Sequence, residues 1–147
     1  MPIDLNNPVV ALCAAGMAAE GTPAEARAFF ERAWAARRDD YDACIAAHYL
    51  ARHQPTAEET LDWNARAVGH AIAVTDDRAS ELLPSLYLNL ADSLATLGRT
   101  AEADLAARRA TALLAHLPTD GYREFIATGI HRLQARLFGT ASGAPAI

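Results

Sequence analysis

Cysteine is scarce in this chain: Cys13 and Cys44 are the only two in 147 residues. They sit in separate apolar helical patterns, so no disulfide framework is expected and a reducing cytoplasm is the expected setting. The β-branched residues are few and scattered, which argues against a sheet. Basic charge is also scarce. Thirteen Lys and Arg against 18 Asp and Glu leave a net charge of −5. That balance offers no general nucleic-acid or membrane surface. Arg37–Arg38 and Arg108–Arg109 read as short pairs on solvated helix faces. The opening Met1-Pro-Ile-Asp-Leu-Asn-Asn lacks the positive region of a signal peptide. No uncharged apolar run approaches the ~18 residues that span a bilayer. No G-x-G-x-x-G, P-loop or G-x-S-x-G occurs, so the chain is read as not an enzyme, with no catalytic residue and no cofactor.

What the chain does have is alanine, the best helix former, within a hydrophobic share of 52%. The reading is all-α, one domain over residues 1–138 with a flexible tail at 139–147. Seven helices follow from period and punctuation. The first runs from Pro8 to about Glu20 and stops at Gly21. Thr22-Pro23-Ala24-Glu25 is a capping box opening the second, which carries the stripe Ala26, Phe29, Phe30, Ala33 and Trp34. Asp39 or Asp40 caps the third. Thr56-Ala57-Glu58-Glu59 opens the fourth, which extends to about Val74. The fifth spans about Leu82 to Leu97 and ends at Gly98; Thr100 caps the sixth; Thr119-Asp120-Gly121 leads into a last helix ending near Phe138.

Short helices joined by tight turns call for a test of internal repetition. Segments beginning at Ala24, Glu58 and Ala101 align, with Ala26, Thr60 and Ala103 equivalent. The first step is 34 residues; the second is nine longer, the extra residues falling between Val68 and Leu83. A period of 34 with Tyr87, Leu90-Ala91, Leu94, Gly98, Ala103 and Ala110 resembles the tetratricopeptide-repeat (TPR) family. Gly21, Ala26, Phe30 and Ala33 repeat its second half. The chain as a whole is similar to small stand-alone bacterial TPR proteins. The resemblance implies repeats at about 7–40, 41–80 and 84–117, a right-handed stack of antiparallel helix pairs, and a solubilising cap at 120–138. It further implies a concave groove, lined by the first helix of each pair, that holds a protein or peptide.

The middle repeat departs from the pattern. His48, Thr60 and Asn64 stand where the other repeats place small or apolar residues. Polar groups enclosed there need partners. Two readings stay open: they satisfy one another and fix helix pairing, or they line a small-ligand pocket. By family position Asp42, Ile45, Tyr49, Arg52 and His53 face the groove, joined by Leu88 and Asp92 from the fifth helix. Tyr and Arg are common binding hot spots, and Arg52 with His53 would suit an anionic group. The plainer alternative pairs Arg52 with Asp92 on a solvated face. Cys44 and His48, at i and i+4, are half of a zinc site with no second half, so no metal is assigned.

Three functions follow from these residues. The first is a protein- or peptide-binding module using the groove. The second is a small-molecule binder or unusual enzyme around His48 and Asn64. The third is a structural homodimer through the extended fourth helix.

Overall fold

A computed structural model of the chain describes residues 4–139. Among these the protein is all-α, with seven helices: α1 (Pro8–Ala18), α2 (Pro23–Ala35), α3 (Asp40–Leu50), α4 (Ala57–Ala73), α5 (Leu83–Thr96), α6 (Thr100–Leu114) and α7 (Gly121–Phe138). Single 3-10 turns lie at Ala51–His53 and Asp77–Ala79. No helix in the described residues is long and apolar enough to cross a membrane. The tail expected at 139–147 lies, beyond Gly139, outside the described residues.

Side-chain oxygens start most of the helices by accepting otherwise orphaned backbone N–H groups. Asn7 accepts from Val9 and Val10, Asp39 from Asp42, Thr56 from Glu59 and Asp120 from Arg123. Two expected caps are corrected. Thr22 makes no side-chain capping bond, and Thr100 is the first residue of α6 with Arg99 as its N-cap. Gly21 is no left-handed C-cap either, since α1 has already ended at Ala18, capped by Ala19. Gly98 is one: its φ of 74° is the left-handed conformation glycine tolerates. There Arg99 N–H reaches back to the Leu94 carbonyl at 2.9 Å, closing the end of α5.

The sequence reads as one domain, whereas the contacts divide the chain between Ala79 and Ser80 into two compact units. That division falls inside the stretch of nine extra residues. In the first unit α1 pairs with α2 and α3 with α4, and α3 also packs against α1 and α2. Its core gathers Val9, Cys13, Ala26, Phe30, Ala33, Ala46 and Leu50. Phe30 is fully buried beneath Gly16; a Cβ at Gly16 would lie 2.3 Å from the ring. Cys13 and Cys44 are buried, free thiols, and burial pushes each up to about 12. In the second unit α5 pairs with α6, and α7 packs on both. Ala91, Ala103, Ala107 and Ala110 are fully buried there, and α7 contributes Ile126, Ile130 and Leu133. Alanine at these places lets helix backbones approach closely and carries little side-chain entropy to lose.

Candidate functional site

Asp42 corrects the expected groove face. Its carboxylate is fully buried, not presented to solvent. Asn7 Nδ2 donates to Oδ1 at 2.8 Å, while the Arg38 backbone N–H and Nε donate to Oδ2 at 3.0 and 2.9 Å. Burial alone would raise its pKa, but these charge-assisted bonds outweigh burial and hold it below the usual carboxylate range. Asp42 thus ties the start of α1 and the α2–α3 turn to α3.

Tyr49, Arg52 and His53 do come together, at the end of α3, around a residue the sequence reading passed over. Glu20, just past α1, accepts from Arg52 Nη2 at 2.9 Å. Its other oxygen lies 2.7 Å from His53 Nε2. A carboxylate can only accept, so that nitrogen carries the hydrogen. Arg52 is therefore paired with Glu20, and Asp92 with Arg136, which replaces the expected Arg52–Asp92 pair. Tyr49 stacks on Phe30 with centroids 5.4 Å apart, and His53 lies against the same ring. An anion arriving here would have to displace Glu20. Ile45 is half-buried and packs on the same core.

His48 sits edge-on to Tyr49 at 4.8 Å. Burial, helped by the positive charge of Arg52, lowers its pKa to about 4, so the imidazole is neutral at pH 7. Asn64 is buried and Thr60 half-buried, both on α4. Among the described residues no three His, Cys, Asp or Glu side chains gather as a metal ion would require.

Leu88 lies in the second unit, at a hollow of about 470 Å³ between α5 and α7. Gly129 faces it: a Cβ there would come within 2.7 Å of Leu88 Cδ2. Phe125 stands at the side, 73% exposed, and Glu124, Thr128 and Arg132 complete the rim. Comparison with family models, curated proteins and solved structures returns no match. The sequence treats α7 as a cap, and Phe125, Gly129 and Arg132 were missed with it. A signal was present: Ile126, Ile130 and Leu133 set the buried stripe of α7, and Phe125 lies off it, a large aromatic on the polar face.

Proposed function

We propose that this chain is a protein- or peptide-binding module, built from TPR-like helix pairs and working in a reducing cytoplasm. The α5–α7 hollow carries the reading. An aromatic ring exposed to 73% beside a leucine and a glycine is apolar surface that a folded chain leaves open at some loss of stability. Such a recess suits one apolar side chain of a partner. Glu124 and Arg132 have no ion-pair partner among the described residues, and they flank the recess with one charge of each sign.

The test starts with affinity purification from the native host and mass spectrometry. A recovered partner is then titrated against wild type, Phe125→Ser and Arg132→Gln. Phe125→Ser should weaken binding at least tenfold, as loss of an anchor side chain does, and Arg132→Gln should reduce it less. If both variants, and a Tyr49, Arg52, His53 triple alanine, bind as wild type, the reading is wrong.

A second reading, self-association through α4, draws on Ile72, which is 60% exposed near that helix's end. Light scattering that gives a monomer at micromolar concentration would dismiss it.

A further inference from the structure

Trp34 and Trp63 belong to the first unit and take no part in the site just proposed. Helical period puts each beside an inward residue, Trp34 after Ala33 and Trp63 before Asn64, so each ring is half-buried at the α2–α4 surface. The two rings meet edge to face, centroids 4.9 Å apart and planes at 87°. Arg37 lies over Trp34 at 3.9 Å and Arg66 over Trp63 at 4.6 Å. Below them opens a hollow of about 340 Å³, which Leu50, Arg27 and Glu31 help to line.

Three properties of this surface point to a ligand class. First, positive charge gathers here on an acidic chain: Arg27 and Arg66 line the hollow and Arg37 covers Trp34, against Glu31 and Asp62, with Asp39 and Asp40 lining a separate hollow beside Arg37. Second, two of those cations are loosely held. Arg27–Glu31 at 3.6 Å and Arg66–Asp62 at 3.1 Å are exposed i,i+4 pairs of little worth, while Arg37 donates to the Trp34 carbonyl at 2.7 Å and has no carboxylate partner among the described residues. Third, neither indole N–H donates to a described residue, and with both rings half-buried each can meet an acceptor from outside. The surface thus offers guanidinium and indole N–H donors around an apolar recess.

We infer that the α2–α4 surface is a second docking site, for an acidic segment of a partner protein that places one apolar side chain between carboxylates. Nucleic acid fits the same surface poorly. Arg37 and Arg66 already cover an aromatic face each, and the two rings meet each other, so little stacking surface is left for bases. Glu31 and Asp62 also interrupt the track a phosphate chain would follow.

Trp34 and Trp63 are the chain's only tryptophans, so emission excited beyond the tyrosine band reports on this surface alone. The full chain is titrated with blocked peptides Glu-Glu-X-Pro-Glu-Glu, X being each apolar residue in turn. The controls are the same set with Gln for Glu, and oligothymidylate. At least one acidic peptide should change the emission saturably and weaken with added salt. An Arg37→Gln, Arg66→Gln double variant, its fold checked by circular dichroism, should bind that peptide about tenfold more weakly. Phe125→Ser should leave the titration unchanged, which separates this site from the α5–α7 hollow. The inference is overturned if no acidic peptide alters the emission, if the Gln peptides bind as well, if the double variant binds as wild type, or if oligothymidylate is preferred.

Discussion

A buried charge and a half-buried neutral imidazole give the first unit two sensitivities. Asp42→Ala removes the acceptor for Asn7 and Arg38 together. Arg38 can turn to water, but Asn7 is only 9% exposed and loses its partner. The expected loss is about 2–4 kcal/mol, read as a lower urea midpoint with an unchanged slope. His48 acts through pH. Its folded pKa, about 4, lies below the ordinary 6.5. Between those values the unfolded chain takes up a proton that the folded chain refuses. Stability therefore falls as pH drops from 6.5 towards 4, by up to about 3 kcal/mol, and is untouched by His48 above that range. Asp42, with its depressed pKa, contributes stability above the ordinary carboxylate range and loses it at lower pH still. His48→Gln should flatten the upper part of this acid limb; an unchanged slope would refute the assignment. His48 was legible as an anomaly because its repeat position calls for a small residue. The burial of Asp42 was not legible, because one of its donors, Asn7, comes from 35 residues away and no local pattern signals that contact.

Helices were read well because their start signals are local. Asp39 and Thr56 cap as the sequence predicts, and every helix falls within a few residues of its predicted span. The failures at Thr22 and Thr100 concern which atom satisfies an N–H, which depends on backbone geometry that composition does not determine. The α1–α2 contact gives a sharper test of packing. Alanine normally stabilises a helix interior by about 1 kcal/mol over glycine. At Gly69, exposed in α4 with open space around its Cα, Gly69→Ala should show about that gain. At Gly16 the same change meets a fully buried ring at 2.3 Å, so overpacking wins and Gly16→Ala should lose about 1–3 kcal/mol. Thermal melts of the two variants should move in opposite directions. The α7 surface was misjudged because a terminal helix in a repeat array is expected to be polar outside, and the expectation of a cap hid Phe125.

At the scale of the chain, the division between Ala79 and Ser80 sorts its chemistry. Both tryptophans, the Glu20 cluster and the Asp42 network belong to the first unit, and the apolar hollow at Leu88 to the second. The insertion was visible in the sequence as a longer second step, but its role as a boundary was not, since a shifted repeat and a break between units leave the same spacing. The cysteines fall on one side as well. Both are closed off from solvent, Cys44 with its thiol 3.1 Å from the Tyr41 carbonyl. With both thiols pushed up to about 12, a thiol-reactive dye at neutral pH can modify either one only after α1 or α3 has come away. Labelling rate is therefore a clock on the opening of the first unit, silent about the second. A peptide that docks at Trp34 and Trp63 should slow that clock, and one seated at Phe125 should not.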